Sequence, residues 1–233
     1  SKKQLERGQR LVELLKDKGV SRTSPERVVV FAERVATLSW LREHLIKDLK
    51  LKDDQIAVLH GGLTDVEQQR VVESFKQSSS PIRVLITGDI ASEGVNLHAQ
   101  CHELIHFDVP WSLIRIEQRN GRIDRYGQRT PPQITALLLD LSEVDGFDGD
   151  IYVLRRLLDR EKEAHEQLGD AASLMQKYDA AAEERALIDV LRSAKDVEEV
   201  LPEVEQLHPM NAFLQGLLAQ DSAPQPRRRD GHR

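Results

Sequence analysis

Hydrophobic residues along this chain alternate between short unbroken runs and longer stretches in which they recur every three or four positions. The runs at 28–31, 56–59, 84–86, 104–107 and 134–139 are rich in Val, Ile and Leu, as expected of strands buried on both faces of a parallel sheet. Between the first two runs, Val35, Leu38, Leu41, Leu45 and Leu49 keep helical spacing, and helices are likewise predicted over 66–75 and 113–119. Upstream, Leu5, Leu11, Val12, Leu14 and Leu15 sit among charges over 2–18, a helix stopped by Gly19 and followed by a turn over 21–25. Strand and helix alternating at this spacing imply right-handed crossovers and a doubly wound parallel α/β sheet.

The pattern changes after the turn-rich segment 145–150. Leu154, Leu157, Leu158, Leu187, Ile188 and Leu191 then stand at helical spacing in an acidic background. The predicted organisation is a lead-in helix and turn over 1–24, an α/β domain over 25–144, an acidic helical extension over 145–220, and a disordered tail over 221–233. The extension reads as packing or as a docking surface for a protein partner. Asp145, Asp148 and Asp150 lack the distal Glu of a calcium loop and read as a turn whose last Asp caps the next helix.

Composition narrows the function. Aromatics are 4% of the 233 residues, so the core is expected to be mostly aliphatic, and the composition argues against a platform of stacked aromatics as the main grip on single strands. The single cysteine, Cys101, rules out an internal disulfide, and no stretch suits a signal peptide or membrane span, which predicts a reducing, cytoplasmic setting without membrane partners. Net charge is −6, but residues 151–205 hold 8 basic and 14 acidic side chains, and the rest balances at 25 of each sign. A neutral body with clustered arginines can still bind phosphates, because the relevant field acts within a Debye length of about 8 Å.

The segment 118–128 carries such a cluster. Arg122 and Arg125 are three residues apart, one helical turn, so both guanidiniums are expected on one face of a helix. Paired planar forks match phosphate oxygens and can stabilise a transferring γ-phosphate, and Gly121 lets the backbone approach closely. A solvated helix end with surface ion pairs is the competing explanation. His98, His102 and His106 recur every four residues around Cys101, but 103–108 reads as a strand, so they are not expected to converge on a metal. Trp111, after Pro110, suits either packing or base stacking.

These segments resemble a known family. Gln118-Arg119-Asn120-Gly121-Arg122-Ile123-Asp124-Arg125-Tyr126-Gly127-Gln128 is similar to motif VI of superfamily 2 helicases and translocases in its SNF2-like form. Val28 through Glu33 resembles motif IV, Leu59-His60-Gly61-Gly62-Leu63-Thr64 resembles the loop after the second strand, and Thr87-Gly88-Asp89-Ile90-Ala91-Ser92-Glu93-Gly94-Val95-Asn96 resembles motif V. Their order and spacing agree over 27–141, closest to the bacterial RapA-like group. Gln68 stands where many SNF2 relatives have Arg, with Arg70 nearby.

The resemblance implies a RecA-like lobe of P-loop NTPase fold that lacks the P-loop. In the family, ATP with Mg²⁺ lies between two lobes, held mainly by the first, whose P-loop and Asp-Glu motifs do not occur in this chain. The chain is therefore expected to be the second lobe of a larger ATPase, inactive alone, with the missing first lobe as its partner. Arg122 and Arg125 would reach the neighbouring lobe's ATP, Gln118 would orient them, and Gly94, Asp89, Glu93 and Gly121 would border the nucleotide. Asp89 and Glu93 also admit an interlobe contact or plain solvation. His60, Gly61, Gly62, Thr87, Gly88 and Arg70 would track a nucleic-acid backbone, expected to be double-stranded DNA, in a bacterial, nucleoid-associated setting. A strand-separating DNA or RNA helicase of another branch and a non-catalytic scaffold remain alternatives.

Overall fold

Burial on both faces decides the strands. In the computed structural model, which describes residues 2–89 and 91–138, the runs become β1 (Val28–Phe31), β2 (Ile56–Leu59), β3 (Val84–Thr87), β4 (Glu103–His106) and β5 (Gln133–Ala136). They form one parallel sheet in the order β2-β3-β1-β4-β5. Strand β1 sits at its centre, and all four of its residues are buried. The chain winds to one side of β1 for β2 and β3, then crosses it for β4 and β5, which is the doubly wound arrangement expected.

Alternation along β1 divides the core in two. Val28 and Val30 face one layer with Leu38, Leu41 and Leu45 of α2 (Val35–Leu49) and Leu11 and Leu15 of α1 (Lys2–Asp17). Val29 and Phe31 face the other with Val72 and Phe75 of α3 (Asp65–Lys76), Leu97 and Ile123. The lead-in helix α1 thus contributes to the same core as the sheet. Gly8 lies against the Trp40 ring so closely that a Cβ there would stand 2.5 Å from it, which sets how tightly α1 and α2 cross.

Local chemistry fixes the helix ends. Thr64 caps α3 in a reciprocal box with Glu67: the Glu67 N–H donates to the Thr64 hydroxyl and the Thr64 N–H donates to the Glu67 carboxylate at 2.8 Å. Those bonds from Thr64 hold the Glu67 carboxyl below its ordinary range. Gly19, at φ +80°, turns the chain after α1 in the left-handed region that glycine tolerates. At the other end of α3, buried Arg27 donates to the carbonyls of Phe75, Gln77, Ser78 and Ser80, closing the turn into β3.

Cys101 is buried, and desolvation pushes its thiol up to about 12, so it is inert rather than a ligand or nucleophile in the folded domain. No helix among the described residues is long and apolar enough to cross a membrane. The acidic extension, the 145–150 turn and the arginine tail lie outside the described residues.

Candidate functional site

A cleft of about 450 Å³ opens at the C-terminal ends of the strands. The loop after β1 contributes Glu33 and the start of α2 gives Val35 and Leu38. His60, Gly61 and Gly62 come from the loop after β2, and Gly88, Asp89, Ala91, Ser92 and Glu93 from the loop after β3. The fourth wall is α4 (Leu113–Asn120) with the turn beyond it, presenting Arg115, Gln118, Arg119 and Arg122. Positions 115, 118 and 119 are the i, i+3, i+4 stripe of one face of α4, and Arg122 follows in the turn beyond it. The sequence directed attention to Gln118 and Arg122; the same period adds the other two.

Arg119 organises this wall. Its side chain is 1% exposed, its Nε and Nη2 donate to the two carboxylate oxygens of Asp89 at 2.5 and 3.0 Å, and its Nη1 donates to the Asp108 carbonyl at 2.8 Å. The guanidinium also lies 5.3 Å from the Phe31 ring centroid. Asp89, for which a nucleotide contact, an interlobe contact and plain solvation are all open in the sequence, gives both carboxylate oxygens to Arg119 and stays about a quarter exposed, at 26%. A bidentate fork is what makes such a buried cation tolerable.

His106 and Asn120 complete the network. The Asn120 Oδ1 lies 2.8 Å from His106 Nε2, so Nε2 carries the ring proton and Nδ1 faces Arg119 Nη1 at 3.4 Å. Burial first and the Arg119 charge second lower the imidazole pKa to about 3. A folded pKa below the unfolded 6.5 means that the unfolded chain binds the proton first, so the stability carried by neutral His106 is full above pH 6.5 and is lost on acidification toward 3. Asp108, raised mainly by burial, acts in the opposite sense at the acid end. Urea unfolding of the chain between pH 7 and 5 is expected to lose stability by up to about 1.4 kcal/mol per pH unit, and His106→Gln should flatten that slope. An unchanged slope in the variant would remove His106 from the account.

The arginine pair departs from expectation. Helix α4 stops at Asn120, so Arg122 and Arg125 do not share a helical face. The cause is packing and crosslinking: Ile123 is drawn into the core, the Leu97 N–H donates to the Arg122 carbonyl at 2.9 Å, and Gln128 Nε2 donates to the Cys101 and Ile123 carbonyls, each at 3.0 Å. Those bonds lace the turn after α4 to the loop after β3. Arg122 lines the cleft with its Nε buried and without a hydrogen-bond partner among the described residues. Burial chiefly, then nearby Arg125, lowers its pKa, while Glu93 and Asp89 oppose that shift. Arg125 is exposed outside the cleft lining.

The remaining sequence-derived positions scatter. His60, Gly61, Gly62, Gly88 and Glu93 line the cleft, while Arg70 is exposed on α3, and neither Gly94, at φ +72°, nor Gly121 is among the lining residues. Several donors already have internal partners: the Gly62 N–H donates to His60 Nδ1 at 3.1 Å, Gly88 N–H to the Leu59 carbonyl at 3.3 Å, and the buried Thr87 hydroxyl to the Gly88 carbonyl at 3.1 Å. Gln68 donates to the Leu63 carbonyl at 2.9 Å. The three histidines go separate ways, His98 to Asn96, His102 toward Glu103 at 3.9 Å, and His106 beneath Arg119.

An open parallel sheet with its cleft at the strands' C-terminal ends, walled by loop glycines and an arginine-bearing helix, defines a doubly wound α/β domain, and ligands of such sheets bind at that edge. Residues 6–127 match the family described as helicase conserved C-terminal domain, and the chain belongs to that family. It is similar to the RNA polymerase-associated protein RapA of Yersinia enterocolitica, 34% identical over 115 residues that cover 49% of this chain and 12% of that protein. The chain thus matches only about an eighth of that relative's length. Among solved structures, the C-terminal part of the Fun30 ATPase domain is 25% identical with a TM-score of 0.47, covering 56% of this chain and 40% of its own. The E. coli DEAD-box protein SrmB, solved bound to RraA, is 21% identical with a TM-score of 0.45, covering 57% and 71%.

Proposed function

We propose that the chain is the second RecA-like lobe of an SNF2-like ATPase that moves on double-stranded DNA. Arg122 carries the reading: a half-buried guanidinium that lines the cleft and holds the Val95 carbonyl only at 3.5 Å keeps outer donors for an anion from outside. That anion would be the phosphate chain of ATP, bound with Mg²⁺ mainly on the other lobe, which supplies the group transferred to water. Exposed Arg125 would reach the γ-phosphate only when the lobes close, and Gln118 on the same wall would orient the cluster. Glu93 and the backbone near Gly94 and Gly121 would border the nucleotide.

The duplex backbone would run over the loops after β2 and β3, with Arg70 adjoining. Gly62, Gly88 and Thr87 would exchange their internal partners for phosphate oxygens, contacts that carry no sequence information. Closure on ATP and opening after product release would then ratchet the duplex without separating its strands. The relative's name makes RNA polymerase a partner to test by co-purification, and the acidic extension the segment to delete.

The deciding measurement is ATP hydrolysis by the full-length protein without nucleic acid and with duplex DNA, single-stranded DNA or RNA. Duplex stimulation severalfold above the other two is expected. Equal stimulation by single strands coupled to unwinding would favour a strand-separating helicase, and no turnover in a folded protein would favour a scaffold.

A further inference from the structure

The stripe on α4 has an end that the proposed function does not use. Arg115 lines the same cleft as Arg119 and Arg122, but it stands in the first turn of α4 while Arg122 lies in the turn beyond the helix's end. Asp89 pairs bidentately with Arg119, while Arg115 and Arg122 stand at separated points along the wall. Opposite Arg115 stands Glu33, whose carboxylate is 3.9 Å from Arg115 Nη1. The side chains are 28% and 48% exposed, so this pair is reached by solvent and is cheap to open.

The backbone of each partner is anchored where its side chain leaves the chain. The Glu33 N–H donates to Asp108 Oδ2 at 2.9 Å, which anchors the loop after β1 to the end of β4. The Arg115 N–H donates to the Ser112 hydroxyl, at 3.4 Å, in the first turn of α4. Two oppositely charged side chains therefore face each other from rigid supports across a cleft that also contains Gly61 and Gly88.

We infer that Arg115 is a further phosphate contact for the nucleic-acid backbone and that Glu33 is its electrostatic gate. This rests on the proposed function, because the ligand is the same duplex. In the free lobe Glu33 competes for Arg115. An entering phosphate displaces the carboxylate and takes the guanidinium in a bidentate contact, which a surface carboxylate 3.9 Å away does not offer. Glu33 thereby lowers affinity for any anion that fails to engage the rest of the cleft, a repulsive element working for selectivity.

Fluorescence anisotropy of the 233-residue chain with a labelled 20-base-pair DNA duplex, repeated over a salt series, tests this. Arg115→Gln is expected to weaken binding 3- to 10-fold and to reduce the slope of log K against log salt by about one, with Arg115→Lys restoring part of both. Glu33→Gln should tighten binding severalfold, and the double variant should match Arg115→Gln alone, because a gate has no effect once its cation is gone. Should Arg115→Gln fail to fold, the exposed Glu33→Gln still decides: unchanged affinity there overturns the gate. If the duplex binds and Arg70→Gln weakens it while Arg115→Gln and Glu33→Gln leave affinity and slope unchanged, Arg115 and Glu33 are only a surface ion pair. If the unaltered chain does not bind the duplex at all, the nucleic-acid reading falls, and this inference with it.

Discussion

Replacing Arg125 with Ala in the full-length ATPase is expected to lower kcat about 10³-fold or more while leaving the Kd for ATP within a fewfold of the parent. The two numbers differ because of where the side chain stands. Arg125 is exposed and outside the cleft lining, so on the proposed function it would meet the nucleotide only in the closed state, where charge develops on the transferring phosphoryl group. An interaction made only in the transition state appears in kcat and not in ground-state binding, and arginine fingers contribute 10³–10⁵ in rate. Arg122 should divide differently. It already lines the cleft, so Arg122→Gln should weaken nucleotide binding as well as turnover. Near-parental turnover by Arg125→Ala would remove it from the chemistry, and equal losses of binding and rate would make it a docking residue between lobes instead. Arg125→Lys serves as the control, since it keeps the charge but loses the planar fork and should recover only a small part of the rate.

How much of this was legible in the sequence varied with the physics involved. The strands were readable because a parallel sheet covered on both faces demands continuous apolar runs, and β1 and β2 begin and end where the pattern predicts. Helix α2 likewise spans its apolar stripe from Val35 to Leu49. The end of α4 was not legible. Helical spacing from Arg119 through Arg125 continues without a proline or a left-handed glycine, and what stops the helix is nonlocal: burial of Ile123 and the bonds from Leu97 and Gln128. Arg119 was missed for a related reason, since an arginine among arginines reads as solvated surface. Its one local signal was the helical period shared with Gln118 and Arg122. Arg27 gave no signal at all, because the four carbonyls it caps lie about 50 residues further along the chain.

Arg119→Met is expected to be the most destabilising single substitution in the cleft wall, lowering the free energy of unfolding by about 3 kcal/mol. Met fills the aliphatic volume, so the loss measures polar groups left without a partner rather than a cavity. Asp89 would keep a carboxylate beside buried Ser92 without its bidentate partner, the Asp108 carbonyl would lose its donor, and His106 Nδ1 would face a thioether. Arg119→Lys should recover little, because one ammonium cannot reproduce the two parallel bonds to Asp89 and the third to Asp108. Adding Asp89→Asn to Arg119→Met should cost much less than the two single losses combined, since the second substitution removes the charge that the first had stranded. Denaturant unfolding of the four proteins closes that cycle. Strict additivity would mean that Arg119 and Asp89 do not act as a pair. The same variants connect stability to function: Arg119 and Asp89 join the wall that carries Arg122 to the loop that carries Glu93. Loosening them should therefore reduce duplex-stimulated turnover more than nucleotide binding, even in the molecules that remain folded.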